Sequence, residues 1–302
     1  MSRQLGIRVR DYYDLTPCAD NAAGDIWSGL PIFGLLGTNS LSGIVITPAC
    51  DLSNRKVETI TYLPIITVRA YFATPAFLPE LLREIDGQLQ VAQASNLFPL
   101  LETHSRFFPP PCDALEVLES ELQVTYNQPN ISSKVKLAIE RVQAGLRILY
   151  CVANPEVIEP QMEDVKCLLG EKLFTTILQR IVTNAYRLDI HFLPADEQIA
   201  EWSGIFQHSL ALFRYALSAP VEIFECAQDV SLIDWEGAMD KLAAFIPGTK
   251  SFASIRPMKK ISLKPRFLAD LLTRYVAMHV RIGSPDFTSQ TVSEYVDQIG
   301  KN

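Results

Sequence analysis

Cys50 and Asp51 stand side by side where an apolar run stops. Gly43-Ile-Val-Ile-Thr-Pro-Ala-Cys-Asp-Leu52 reads as a buried strand closed by Pro48, with Lys56 shortly after it. Proline cannot donate to a sheet ladder, so the strand ends there or lies at an edge, and the Cys-Asp pair falls at its exposed mouth. Three chemistries are open to the pair. Cys50 is a nucleophile if a base lowers its thiol pKa, with His191 or His208 as candidates further along the chain. Cys50, Asp51 and His191 are metal donors if further ligands join them. In the third reading Cys50 is a small buried hydrophobe, and the Asp51 carboxylate accepts turn amides or pairs with Lys56, Arg214 or Arg281. The third is favoured, because no base or ligand stands at a helpful spacing.

The remaining polar candidates sit among apolar neighbours. His191 lies between Ile190 and Phe192, and strand alternation puts it on the face opposite both, where it reads as a hydrogen-bonded pin within reach of Asp51. His279 falls on the apolar stripe of the last helix and reads as a core histidine. Arg214 interrupts Phe213 and Tyr215, and Arg281 ends the last helix; each can form an internal ion pair or meet a helix C-terminus. Asp25 belongs to a second short pattern, Gly24-Asp-Ile-Trp27. Lys250, Arg256, Lys259, Lys260, Lys264 and Arg266 fall within seventeen residues. That run reads as a solvated loop and helix start, with nucleic-acid contact through Lys259, Lys260, Lys264 and Arg266 as the minor alternative.

The elements that must position these residues read as β, α, β, α. Strand patterns cover Asp25–Trp27, Gly43–Thr47 and Thr59–Val68. Helical periodicity holds from about Pro75 to Arg187, including a helix after Ser132 or Ser133 that stops at Asn154-Pro155 and a second run broken by Gly170. Arg187–Pro194, Ser209–Leu217 and Val221–Cys226 read as strands, the last two adjacent through a turn at Ser218–Pro220. Asp234 caps a short helix, and Arg266–Arg281 is the closing helix. About a hundred helical residues cannot be a loop. The expected fold is therefore α+β: a small SH3-like barrel split by a large helical insertion, with C-terminal helices. The divisions are 1–74, 75–187, 188–230 and 231–302: first barrel half, insertion, second half and helical segment.

Composition narrows the function. A net charge of −7 over 302 residues disfavours broad phosphate-backbone binding. The six cysteines show no CxxC spacing, and the chain has no Walker loop, GxGxxG, HExxH or GxSxG. No cofactor or metal is expected, no membrane-spanning run occurs, and a reducing cytoplasm fits the cysteine pattern.

In order along the chain, Gly24-Asp-Ile, Gly43–Leu52 with Lys56, His191-Phe-Leu-Pro, Ser209-Leu-Ala-Leu-Phe-Arg and Arg281-Ile-Gly-Ser-Pro resemble a set of uncharacterised bacterial proteins. These are companions encoded in defence or mobile-element operons. The resemblance implies a non-catalytic interaction or sensing subunit that contacts a protein partner. The GDI strand, Gly-rich loop and apolar strand also resemble the opening of the MazF/PemK-type toxin barrel, which implies a hydrolase or nuclease using Cys50, Asp51 and His191. Trp27 and Ser28, and the lack of an Arg between Gly43 and Cys50, depart from that second pattern. A nucleic-acid-binding regulator ranks third.

Overall fold

Alternation along Thr59–Thr67 sorts the sheet into two faces. Ile60, Tyr62 and Ile66 point one way, Leu63 and Ile65 the other, as the two-residue period of a pleated strand requires. The computed structural model describes residues 12–15, 20–32, 40–54, 56–103, 108–154, 160–195, 204–205 and 207–280. Within these, β1 (Tyr13–Asp14), β2 (Asp25–Pro31), β3 (Ser40–Val45), the short helix α1 (Ala49–Ser53) and β4 (Thr59–Thr67) come first. Helices α2 (Val68–Tyr71), α3 (Leu78–Val91), α4 (Cys112–Tyr126), α5 (Ser133–Ala153), α6 (Met162–Leu169) and α7 (Glu171–Val182) follow. Then come β5 (Ile190–Leu193), β6 (Ser209–Leu212), β7 (Leu217–Pro220), α8 (Val221–Gln228), α9 (Trp235–Ala243), β8 (Met258–Leu263) and α10 (Pro265–His279).

The fold is mixed α+β around a curled, antiparallel half-barrel sheet. Its order is β1-β8-β2-β3-β4-β6-β5, with β7 also pairing β4. Laid flat, six strand spacings would separate the outermost strands by roughly 29 Å. Instead the Tyr13 hydroxyl on β1 donates to the Pro194 carbonyl just past β5 at 2.8 Å, so the sheet curls until one side chain bridges its two margins. The enclosed face carries Ile26, Ile44, Leu63, Ile65, Leu193, Ala211, Ile261 and Leu263, and α10 packs onto it through Leu268, Leu271, Leu272 and Tyr275.

The outer face is covered twice. Ile66, Ile190, Phe192, Leu210 and Leu212 share one core with α2–α7, while Trp27, Leu30, Val45, Ile60 and Tyr62 pack on α8 and α9. Local sequence explains the helix ends. Ser132 accepts from the Val135 amide at the start of α5, and Asp234 accepts from the Gly237 amide at the start of α9, each satisfying an orphan donor. Gly170 separates α6 from α7 with φ +75°, a conformation that favours glycine. Strands 4 and 6 pair through Ile65 and Ala211 although α2–α7 lie between them in sequence.

Three expectations about elements are corrected. Ser209–Leu217 is not one strand: it breaks into a 3-10 turn at Phe213–Tyr215 between β6 and β7. β4 pairs β7 through Tyr62 and β6 from Ile65 onward. The detour therefore falls beside Leu63 and Pro64, the second of which has no N–H to offer a ladder. Val221–Cys226 is helix rather than strand, because Ile223, Phe224 and Ala227 pack into the core at helical spacing. Met258–Leu263, read as solvated loop, is a strand between β1 and β2, with Ile261 and Leu263 on the enclosed face.

Candidate functional site

Cys50 and Asp51 lie on α1, which follows β3 through Ile46-Thr47-Pro48. Thr47 Oγ1 accepts from the Thr61 amide at 2.7 Å and pins that connector to β4. Cys50 is exposed rather than a buried hydrophobe, because α1 buries Leu52 and turns its neighbours outward. The thiol lies 3.6 Å from Asp51 Oδ1. Lys56 meets Asp51 through the backbone, its amide donating to the Asp51 carbonyl at 2.9 Å. The expected carboxylate partner Arg214 is committed elsewhere, and Arg281 lies outside the described residues.

His191 does sit opposite Ile190 and Phe192, but it meets α10 and not Asp51. Its ring is 2% exposed, with Nδ1 4.0 Å from Asp270 Oδ2 and no hydrogen-bond partner for that nitrogen among the described residues. Burial drives its pKa from 6.5 down to about 4, with Asp270 pulling it back and Arg274 adding to the fall. His191 pairs with Ala211, Ala211 with Ile65, and Ile65 with Ser42. Three strand spacings, roughly 14 Å of sheet, thus separate His191 from β3, and α1 lies further on. Cys50, Asp51 and His191 do not converge. His208 has its own role, accepting from the Ala195 amide through Nδ1 at 3.0 Å. His279 is exposed, not core, with its ring edge-on to Tyr275 at 4.9 Å. No group of three His, Cys, Asp or Glu suited to hold a metal gathers among the described residues.

Arg214 belongs to a network built on Asp189, a residue sequence reading passed over. Arg187 binds Asp189 bidentately at 3.0 Å through Nε and Nη2, and Arg214 Nε donates to Oδ2 at 2.6 Å. Arg187 also donates to the Ala76 carbonyl at 2.9 Å and the Tyr71 hydroxyl at 3.4 Å, and nearby Tyr186 donates to Glu80. Burial pushes the Asp189 carboxyl up, but the two guanidiniums outweigh it and hold the carboxyl below its ordinary value. The alternation Arg187-Leu-Asp-Ile, two opposite charges on one face entering an apolar strand, is the signal that was available.

Asp25 is the second hub. Its Oδ2 takes the Lys259 ammonium at 2.9 Å and the Ala22 amide at 2.8 Å, and Oδ1 accepts from the Ser262 hydroxyl. Both ion-pair side chains are nearly buried, 2% exposed for Asp25 and 8% for Lys259. Lys259 Nζ also lies 5.5 Å over the Trp27 ring and donates to the Asp20 carbonyl. Arg256 caps the end of α8 and its following turn, donating to the carbonyls of Ala227, Leu232 and Asp229. Arg266 stacks on Phe267 at 4.4 Å. The basic run is thus solvated only in part: Lys250 and Arg266 are exposed, Arg256 and Lys259 are drawn inward, and Lys260 and Lys264 are also engaged.

Beside this hub an open cleft of about 640 Å³ is lined by Trp27, Gln228, Val230, Arg256, Met258 and Lys259, with Ala227 and Pro257. The Trp27 indole N–H is buried and has no partner among the described residues. Over the buried Trp27 ring the cleft sets the exposed Val230 and Met258 side chains beside two cationic stems, an arrangement suited to an apolar side chain. No helix among the described residues is long and apolar enough to cross a membrane. The chain matches no protein-family model, no curated protein and no solved structure.

Proposed function

We propose that this protein is a non-catalytic recognition subunit of a bacterial defence-type system, binding another protein around the α8–α9 connection. The observation that carries this reading is exposure: Val230 and Ile233 are each 96% exposed and Phe245 is 86%. All three lie within sixteen residues, at the two ends of α9. Leaving such side chains in water forfeits about 1.5–3 kcal/mol each relative to burial, and grouping them on one unit is the pattern of a docking surface. Val230 also walls the Trp27 cleft, so a partner side chain seated there meets the exposed Val230 and Met258 side chains. The defence setting rests on the order of the short patterns along the chain.

The same reading keeps the sheet as an SH3-like barrel into which residues 75–187 are inserted, supported by the pairing of β4 with β6 across that segment. It places the protein in the cytoplasm, supported by cysteines scattered without disulfide spacing. The hydrolase alternative needs Cys50 and His191 together, and their separation across the sheet removes its support.

Co-purification with the proteins encoded beside it is the test. The double variant Val230→Asp/Ile233→Asp should keep its melting temperature and lose the partner, while Cys50→Ala keeps both. Retained binding by the double variant, or RNA, DNA or ester cleavage abolished by Cys50→Ala, would overturn the proposal.

A further inference from the structure

A second cleft, sharing no lining residue with the Trp27 cleft, opens between the Phe213–Tyr215 turn and the end of α10. It encloses about 390 Å³ and is lined by Phe213, Arg214, Ala216, Met278 and His279. Behind the lining, Tyr275 stands edge-on to both Phe213 at 5.6 Å and His279 at 4.9 Å.

Arg214 is its one fixed cation, and it is held ready. Asp189 takes Nε, Arg187 grips both oxygens of Asp189, and Tyr71 and Ala76 hold Arg187. The Arg214 side chain is nonetheless 58% exposed, and its two outer nitrogens have no hydrogen-bond partner among the described residues. A guanidinium oriented by buried neighbours, with its outer N–H groups unused, is suited to a planar anion and loses little entropy on binding one. Its charge is already shared with Asp189, so a monoanion suits it better than a dianion, which would also meet the Asp189 carboxylate behind it. The lining is mixed: beside the polar groups of Arg214 and His279, Ala216 and Met278 offer a smaller apolar patch that suits a small apolar body.

We propose that this cleft binds a carboxylate carried on a small aromatic or aliphatic body, the carboxylate on the outer nitrogens of Arg214 and the body against Ala216 and Met278. The shared chemistry has two sources, a free small acid or the C-terminus of a peptide ending in an apolar residue.

Phenylacetate is the probe, titrated into the full chain by calorimetry, with acetate, 2-phenylethanol, phenylphosphonate and N-acetyl-Gly-Phe as companions. Phenylacetate should bind at least about tenfold tighter than acetate or 2-phenylethanol, and Arg214→Ala should weaken it by about tenfold or more, the loss of a charged hydrogen-bond pair. Met278→Trp fills the cleft while leaving Arg214 on Asp189, and should abolish binding in a protein of unchanged melting temperature. N-acetyl-Gly-Phe binding tighter than phenylacetate supports the site with a peptide terminus as its source; the reverse order supports it with a free acid. Absent saturable binding, equal affinity in both variants, or tighter binding of phenylphosphonate would overturn the proposal.

Discussion

Replacing His191 by leucine should make the protein less sensitive to acid. The imidazole is buried beside Leu193, Ala211 and Phe213, and its nearest charged groups are Asp270 and Arg274 on α10. Its folded-state pKa of about 4 lies below the ordinary 6.5, so between those values the unfolded chain binds a proton that the folded chain refuses. Stability attributable to this residue is therefore whole above pH 6.5 and falls as the pH drops toward 4. The linkage relation puts the loss at about 2 kcal/mol at pH 5 and about 3 kcal/mol once pH 4 is passed. Leucine carries no proton to refuse. Urea unfolding at pH 7 and pH 5 should show His191→Leu gaining about 2 kcal/mol on the parent between the two conditions, other titrating groups cancelling in the comparison. An NMR titration of the parent should find one imidazole still neutral at pH 5. Equal pH dependence in parent and variant, or all four histidines titrating near 6.5, would refute the buried-neutral assignment.

Three further outcomes follow from the ion pairs and from α1. Asp189→Asn leaves Arg187 and Arg214 without their shared carboxylate and should cost about 3 kcal/mol in chemical unfolding at neutral pH. Because the Asp189 carboxyl is held below its ordinary value, its stabilising contribution is present above the unfolded carboxylate range and disappears as pH falls through the folded pKa; the variant should lack that acid-range slope. Lys259→Met strands the nearly buried Asp25 carboxylate and should cost about 3–5 kcal/mol. Combining it with Asp25→Leu should recover much of that loss, a coupling read from a double-mutant cycle. Cys50→Ala at the exposed thiol and Asp51→Asn at its half-buried neighbour on α1 should each change stability by less than about 1 kcal/mol, measured by thermal melting; a loss of 3 kcal/mol from either would mean that α1 is more deeply integrated than its burial indicates.

Local pattern was enough for much of this architecture. The alternation in Thr59–Thr67 and Ile190–Leu193, the Ser132 and Asp234 caps and the Gly170 break are each written within a few neighbouring residues, because backbone dihedrals and capping are local physics. The face on which His191 lies was legible for the same reason. What faces it was not. Asp270 reaches His191 only because the sheet curls and α10 fills the hollow, and Lys259 reaches Asp25 only because β8 inserts between β1 and β2 from the far end of the chain. Local pattern also misled where packing outweighed it. Val221–Cys226 has β-branched residues yet buries a helical stripe, and Met258–Leu263 carries two lysines yet runs through the sheet interior because one of them neutralises a buried carboxylate. Residue types and spacing named Asp25, His191 and Arg214 as positions of interest; burial, register and the identity of each counter-charge are properties of the assembled sheet, set by strands and helices far apart in sequence.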